Sequence, residues 1–240
     1  MSHTIGLIGG MSWESTATYY RLINEIVRER RGGLVSANIL MQSVNFDEIV
    51  ALQKAGQWDA AAARLGSIGR NLVSIGADCI LICTNTMHLV ADEVAAECGA
   101  PLINIVDATG AALAAAGIKR PLLLATKYTM EHGFYLQRLQ ERFGLDALVP
   151  EAADRDIVHS VIFDELCKGI VKDSSRAAYL RIMERGRERG ADAVILGCTE
   201  IDLLIKPEHC PLPAFDSTLI HVTAAVDFAE RTAKTVQAAA

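Results

Sequence analysis

The feature that most constrains the fold is an internal repeat of about half the chain. The segment Gly76-Ala-Asp-Cys-Ile-Leu-Ile-Cys83-Thr84-Asn85 is echoed by Gly190-Ala-Asp-Ala-Val-Ile-Leu-Gly-Cys198-Thr199-Glu200, and the two Cys-Thr pairs are 115 residues apart. The same shift carries Gly10-Met11 onto Ala125-Thr126 and Tyr19-Tyr20 onto Phe134-Tyr135. Self-similarity over so long a period indicates two homologous halves rather than one large sheet.

Apolar runs rich in Val, Ile and Leu alternate with segments of helical period, which is typical of parallel strands covered by helices. Strands are predicted at 4–9, 36–44, 78–83, 102–105, 120–125, 146–149, 192–197 and 212–215. Helices are predicted at 15–31, 57–75, 86–98, 108–116, 130–143, 154–169, 174–189, 200–205 and 217–238. The pattern predicts an α/β fold with mainly parallel sheets.

The repeat also predicts the domain organisation. A first α/β domain is expected over 1–100, completed by the C-terminal segment 213–240, and a second over 101–212. Ligands of such sheets bind outside the carboxyl ends of the strands. Since Cys83 and Cys198 each end a strand, we expect the active site in a cleft between the two domains, with one cysteine on each side.

Composition excludes several classes of protein. The chain is 51% apolar and 22% charged, with a net charge of −6 and six cysteines. Its one short basic run, Arg28 to Arg31, is too small for the phosphate-neutralising surface of a nucleic-acid-binding protein. No apolar run is long enough to span a bilayer, and no basic segment precedes the N-terminal apolar stretch. We therefore expect a cytoplasmic protein with no nucleic-acid or membrane partner, whose cysteines are thiols.

The paired cysteines point to proton transfer. A thiolate is a base, and the pKa of a thiol can fall at the start of a helix. A predicted helix begins shortly after each Cys-Thr pair. If one thiolate removes a proton from a carbon acid and the opposite thiol returns one to the other face, the configuration is inverted. The sequence thus favours a two-base racemisation or epimerisation by Cys83 and Cys198.

The polar residues after each cysteine suit a small zwitterion. Hydroxyl, amide and carboxylate groups are available to hold ammonium and carboxylate charges; they belong to Thr84, Asn85, Thr86, Thr199 and Glu200. The simpler alternative is that each cysteine is a small buried hydrophobe.

Two other readings are weaker. Cys79, Cys83 and His88 could be taken for metal ligands, but the spacing lacks the second close pair of a zinc site, so no metal is expected. The glycines at 6, 9 and 10 do not have dinucleotide-binding spacing and are interpreted as allowing close approach of a small ligand.

Three segments resemble the signatures of the aspartate/glutamate racemase family, in particular its broad-specificity amino-acid racemase branch. They are Gly6-Leu-Ile-Gly-Gly-Met-Ser-Trp-Glu-Ser15, Cys83-Thr-Asn-Thr-Met-His88 and Gly197-Cys-Thr-Glu-Ile201. The likeness extends over nearly the whole chain. It implies a cofactor-independent amino-acid racemase of two similar α/β domains, a homodimer, with Cys83 and Cys198 as the two bases.

The resemblance also implies the substrate contacts. Beyond the residues that follow each cysteine, it points to Met11, Ser12 and Thr126, and to Lys168 as a carboxylate-binding cation. Aspartate-specific members carry a basic residue shortly after the Val-Asn of the second strand. Here Val44-Asn45 is followed by Phe46-Asp47-Glu48, with Gln53 as a neutral substitute, which favours tolerance of neutral or basic side chains.

The sequence therefore predicts a racemase of amino acids, with broad or aspartate/glutamate specificity. Two alternatives stay open. One is an isomerase or decarboxylase of small unsaturated or malonate-like acids with a nucleophilic cysteine. The other is a sensor that binds an amino acid without reacting.

Overall fold

The computed structural model describes residues 3–237, with side chains as far as Arg231. The chain divides into two compact units. Within the described residues, unit 1 combines 3–104 with 221–237, and unit 2 is the continuous stretch 105–220. The chain thus passes between units after Asn104 and again after Ile220, whereas the sequence placed these boundaries near 100 and 212. The last three residues of the predicted segment 213–240 lie outside the described residues.

Strands and helices alternate along the first part of the chain, as the sequence pattern predicts. The elements are β1 (Ile5–Gly9), α1 (Trp13–Arg31), β2 (Ile39–Ser43), α2 (Phe46–Lys54), α3 (Trp58–Ser74), β3 (Cys79–Ile82) and α4 (Ala91–Cys98). The sheet has the order β2-β1-β3 and is parallel throughout.

The same alternation continues to the end of the described chain. The elements are α5 (Ile105–Ala115), β4 (Pro121–Ala125), α6 (Lys127–Glu131), α7 (Phe134–Phe143), α8 (Ala152–Ser160), α9 (Asp173–Glu188), β5 (Ala193–Gly197), α10 (Ile201–Leu204), β6 (Ala214–Asp216) and α11 (Ser217–Gln237). This sheet has the order β4-β5-β6 and is also parallel. Among the described residues 3–237, no helix is long and apolar enough to cross a membrane.

The two sheets confirm the predicted pair of similar α/β units. In unit 1 the strand that leads to Cys83 pairs with β1, and in unit 2 the strand that leads to Cys198 pairs with β4. The predicted strands 102–105 and 146–149 are reduced to single bridges, Ile80 to Leu102 and Leu122 to Leu148. Both are cut short because helix α5 begins at Ile105 and because Pro150, which has no N–H to donate, follows the second.

Several predicted helices are interrupted in the structure. The segment 86–98 is a 3-10 turn over Thr86–Val90 followed by α4. The segment 130–143 is broken at Gly133, which has a φ of 77°. The segment 154–169 ends its α-helix at Ser160 and continues as a π turn and a 3-10 turn. Helix α2 was not predicted, although Asn45 caps it by accepting a hydrogen bond from the Asp47 N–H at 3.2 Å.

Strand alternation decides where the first cysteine lies. Successive side chains of β3 point to opposite faces of the sheet. Cys79, Leu81 and Cys83 therefore share one apolar cluster with residues of α1 and α11, while Ile80 and Ile82 lie in another with residues of α3 and α4. Cys79 and Cys83 thus lie on the same face of the sheet.

Unit 2 has one continuous apolar core around β4 and β5. Every residue of β5 is buried. Cys167 and Cys198 are partly buried and pack against this core. The 3-10 turn Leu166–Lys168, which contains Cys167, contacts α10, which begins three residues after Cys198. Cys198 thus lies at the carboxyl end of the buried central strand of its sheet, and Cys83 lies at the carboxyl end of the buried strand β3, beside the central strand β1.

Candidate active site

A glycine-rich turn follows β1 and lies beside the end of β3. The Val44 N–H donates to the Gly9 carbonyl at 3.0 Å, and the Gly10 N–H donates to Thr16 Oγ1 at 2.8 Å. Gly10 has a φ of 90°, and a Cβ there would collide with the Val44 backbone. The interpretation of these glycines as room for a ligand is corrected: the protein's own backbone and the Thr16 side chain occupy that space.

The residues after the turn join α1 to the Cys83 strand. Ser12 caps α1 by accepting a hydrogen bond from the Ser15 N–H at 3.2 Å. Ser15 Oγ donates in turn to the Cys83 carbonyl at 2.9 Å. Met11 is buried in the cluster formed with α3 and α4. The predicted residues Met11 and Ser12 therefore lie at the same edge of the sheet as Cys83.

Cys83 continues the hydrogen bonding of its strand and is fully buried. Its N–H donates to the Ile8 carbonyl at 3.0 Å. Its side chain is 0% exposed, in an apolar cluster. Burial raises the pKa of the Cys83 thiol well above its usual range, because the thiolate would lose its hydration. The expected lowering by a helix N-terminus is wrong here, since the chain after Cys83 begins with a 3-10 turn rather than an α-helix.

The polar residues that follow Cys83 form a buried turn. The Thr84 carbonyl lies 2.8 Å from His88 Nδ1, and Asn85 and Thr86 are buried. Gln53 reaches this turn from α2, because its Nε2 donates to the Met87 sulfur at 3.1 Å. The structure thus brings Gln53 into contact with the turn that follows Cys83.

Cys198 faces a carboxylate. Its Sγ donates to Glu200 Oε2 at 2.9 Å, and the Thr199 hydroxyl donates to the same oxygen at 2.7 Å. Glu200 is only 7% exposed. The three consecutive residues predicted for this side of the site therefore share one hydrogen-bonded centre.

The surroundings of Cys198 favour the neutral thiol over the thiolate. Burial raises the pKa of this thiol well above its usual range, and the charge and hydrogen bond of Glu200 and the nearby Cys167 add to the shift. The backbone N–H of Glu200 acts in the opposite direction. The predicted lowering is wrong here too, because α10 is a single turn and the carboxylate outweighs it. Both thiols are neutral around pH 7.

Thr126 lies beside Cys198 at the edge of the second sheet. The preceding residue, Ala125, is paired with Gly197, so the residues after β4 and β5 are neighbours. Thr126 Oγ1 caps α6 by accepting from the Thr129 N–H at 3.4 Å. Thr126, predicted as a substrate contact, thus lies at the same end of the second sheet as Cys198.

Lys168 lies on the exposed surface of unit 2. Its side chain is 60% exposed, and its Nζ is 3.7 Å from Asp164. It belongs to the 3-10 turn Leu166–Lys168, which contacts α10. Asp47 and Glu48 are exposed in the first turn of α2.

Sequence reasoning missed one buried group in unit 1, because it gave His221 no role. A histidine between apolar residues, as in Leu219-Ile220-His221-Val222, is a signal of a buried and fully hydrogen-bonded imidazole. No cluster of three or more His, Cys, Asp or Glu that could hold a metal ion occurs among residues 3–237.

The structure thus has two similar α/β units, each with a Cys-Thr pair at the carboxyl end of a buried parallel strand. Residues 8–225 match the model of the Asp/Glu/Hydantoin racemase family, and the chain belongs to that family. The protein is therefore an isomerase, an amino-acid racemase by family and fold.

Solved structures show the same architecture. An Asp/Glu racemase candidate from Yersinia pestis is 47% identical, with a TM-score of 0.90 over 95% of this chain and 99% of that one. An aspartate racemase homologue from Pyrococcus horikoshii is 34% identical, with a TM-score of 0.85 over 96% of this chain and all (100%) of that one. Glutamate racemase from Francisella tularensis, solved with D-glutamate, shares the fold at 13% identity, with a TM-score of 0.68 over 96% and 82% of the two chains.

Proposed function

We propose that this protein racemises free amino acids by moving the α-proton between Cys83 and Cys198, without a cofactor. The observation that carries the proposal is the equivalent placement of the two Cys-Thr pairs, each directly after a buried strand that pairs with the first strand of its sheet. One thiol then serves each face of the α-carbon. After inversion, the thiol and the thiolate have exchanged places, so the same pair catalyses the reverse reaction.

Because the pKa values of both thiols are raised, the formation of a thiolate requires a group that accepts the thiol proton. For Cys198 that group is Glu200, whose carboxylate already accepts a hydrogen bond from Sγ at 2.9 Å and can take the proton. Cys83 lies in an apolar cluster. For this thiol we propose that ionisation occurs when Cys83 delivers its proton to the α-carbon, and that the positive charge of the substrate's ammonium group stabilises the thiolate that remains.

Substrate recognition is proposed to use the groups at the strand ends. The α-carboxylate and ammonium groups are held by hydroxyl, amide and backbone groups of Met11, Ser12, Thr84, Asn85, Thr86, Thr126, Thr199 and Glu200. The side chain is bound by Gln53 and Lys168. With Asp47 and Glu48 exposed on α2, we propose that neutral and basic amino acids are accepted as well as aspartate and glutamate.

Two further expectations from the sequence are kept as proposals: the protein acts as a homodimer, and it works in the cytoplasm. Sedimentation velocity tests the first. Cell fractionation of the native source tests the second.

The deciding experiment is proton exchange in D₂O. L-aspartate, glutamate, homoserine, methionine, lysine and alanine are followed by proton NMR, and the products are resolved by chiral chromatography. Loss of the α-proton signal with formation of the D-enantiomer is expected from the wild type, and loss of both from Cys83→Ala and Cys198→Ala.

Matched controls lie nearby. Cys79→Ala removes a buried thiol on the same strand and face as Cys83, and Cys210→Ala removes a half-buried thiol in the same unit as Cys198. Both controls should racemise at the wild-type rate. Full activity in both catalytic variants overturns the two-cysteine mechanism. Turnover of maleate or an arylmalonate, with none of amino acids, establishes instead a nucleophilic cysteine, and tight binding without exchange establishes a sensor.

A further inference from the structure

Two buried imidazoles lie behind Cys83 in unit 1. His88 is 5% exposed and His221 is 0% exposed. Their rings meet edge to face, with centroids 5.4 Å apart and planes at 74°. One belongs to the turn that follows Cys83, and the other belongs to α11. The proposed proton transfer uses neither of them, so their place in the unit needs another explanation.

The hydrogen bonds of His221 fix its ring. A carbonyl oxygen only accepts, so the ring nitrogen 2.6 Å from the Ile103 carbonyl, Nε2, carries the proton. Nδ1 then accepts from the Tyr19 hydroxyl at 2.8 Å. Burial, with the nearby His88, lowers the pKa of His221 to about 3. The ring is therefore neutral at physiological pH, with both nitrogens bonded, and it is a rigid surface for His88.

His88 acts on the backbone next to Cys83. The same argument places a proton on His88 Nδ1, which donates to the Thr84 carbonyl at 2.8 Å. The carbonyl of Cys83 itself accepts from Ser15 Oγ at 2.9 Å. Side chains from two elements thus hold two consecutive carbonyls, and the Thr84 N–H is held by the Ile82 carbonyl at 2.8 Å.

From this arrangement we infer that His88 is a positioning residue for Cys83: its Nδ1–H holds the Cys83–Thr84 turn, and His221 keeps the His88 ring in place. The inference rests on the proposed function, since it concerns the aim of the Cys83 thiol in proton transfer. A displacement of a reacting group by about 1 Å can cost as much as 100-fold in rate.

The support is one-sided. The repeat aligns His88 with Leu203, which is 52% exposed and has no polar side-chain atom. Loss of the His88 hydrogen bond should therefore slow only the step in which Cys83 transfers a proton. Because L- and D-enantiomers are equally stable, kcat/KM is equal in the two directions for any variant. The asymmetry has to be read from isotope effects.

The test compares His88→Asn with His88→Gln. The Asn side-chain amide lies where Nδ1 was and can still donate to Thr84, whereas the Gln amide lies where Nε2 was and cannot. The substrate is aspartate or the best substrate of the exchange panel, deuterated at the α-carbon in each enantiomer. For His88→Gln we expect kcat to fall about tenfold. The primary isotope effect on kcat/KM should rise for the enantiomer that Cys83 deprotonates and fall for the other.

His88→Asn should keep kcat within about threefold and the isotope effects of the wild type. Equal isotope effects for both enantiomers in His88→Gln, or the same loss in both variants, overturn the inference. If neither variant folds by circular dichroism, Tyr19→Phe, which removes the hydroxyl that donates to His221, has to show the same split on a smaller scale. Activity retained in Cys83→Ala would refute the proposed function itself, which separates the two failures.

Discussion

The two Cys-Thr pairs occupy equivalent strand ends but have different surroundings. Cys83 is fully buried among apolar side chains, and its carbonyl is held by Ser15. Cys198 is half-buried, and its thiol donates directly to Glu200. The residue two positions after each cysteine is Asn85 in unit 1 and Glu200 in unit 2. The repeat has preserved the backbone position of the thiols while the neighbouring chemistry has diverged.

Under the proposed two-base mechanism, this difference means that the two cysteines are supported in different ways. In that mechanism the buried carboxylate of Glu200 is the proton acceptor of Cys198. Cys83 has a rigid backbone but only apolar contacts around its side chain. A two-base mechanism on this protein is then asymmetric in its supporting residues, even though inversion treats both enantiomers equally.

The largest effect is expected from Glu200→Gln. The amide keeps the shape but takes no proton, so kcat for racemisation should fall about 100-fold, the contribution typical of a general base. At the same time the pKa of Cys198 should fall, because the negative charge that raises it is gone. Kinetics from pH 6 to 10 and the pH dependence of Cys198 alkylation measure the two effects.

The control for that prediction is Glu208→Gln, which removes an exposed carboxylate of the same unit. It should leave kcat and the alkylation profile unchanged. A loss of less than threefold in Glu200→Gln would show that Glu200 is not the acceptor.

The second prediction concerns the stability of unit 1 at low pH. The pKa of His221 is lowered to about 3, whereas the unfolded residue binds a proton below about 6.5. Its contribution to stability is thus complete above pH 6.5 and is lost as the pH falls towards 3. At pH 4.5 the cost to unit 1 is about 3 kcal/mol. Both tryptophans, Trp13 and Trp58, lie in unit 1 and report its unfolding in urea.

His221→Gln supplies the comparison for this measurement. Gln does not titrate, so the drop in urea midpoint between pH 7.5 and 4.5 should be clearly smaller than in the wild type. Equal drops in the two proteins would assign the acid sensitivity to other groups.

The third prediction compares the turns after the first strands. The repeat aligns Gly10 with Ala125, but only Gly10 has a left-handed φ, 90°, and lies against the Val44 backbone. Gly10→Ala should destabilise unit 1 by about 2 kcal/mol, by strain and collision. Ala125→Gly should cost about 1 kcal/mol, by strand entropy. Tryptophan fluorescence and far-UV circular dichroism in urea measure the two losses, and an equal cost would contradict the comparison.

The smallest effect is expected at Lys168. Its exposed side chain is screened by solvent, so Lys168→Ala should leave kcat unchanged and raise KM for aspartate about threefold, with no change for alanine. Lys172→Ala, which removes an exposed lysine paired with Glu165 at 3.1 Å, is the matched control and should change neither. A tenfold loss of kcat in Lys168→Ala would place this lysine at the reacting atoms.

Much of the fold could be predicted because its signals are local or repeated. The buried strands are continuous apolar runs, and the repeat alone indicates two units. Helix α2 escaped prediction although Asn45 is a recognisable cap, because the helix has only nine residues and so shows little helical period. The interruptions at Gly133 and after Ser160 depend on packing, to which helical period is insensitive.

The site was predictable in position and not in electrostatics. The repeated Cys-Thr pairs gave the strand ends at which the thiols lie. The direction of both pKa shifts depends on what covers each thiol, and for Cys198 on the rotamer of Glu200. The contact between His88 and His221 joins residues far apart in the chain, so no spacing rule could find it.

The discontinuity of unit 1 has a consequence for the order in which the chain folds during synthesis. Val222, Ala225, Val226 and Ala229 complete the apolar cluster around Cys83, yet the ribosome makes them only after all of unit 2. Unit 2 is contiguous, so it can fold as soon as it has emerged, since domains generally fold as units. Unit 1, most of which is made before unit 2, is therefore the unit that finishes folding last, and until then the apolar cluster around Cys83 lacks its α11 residues.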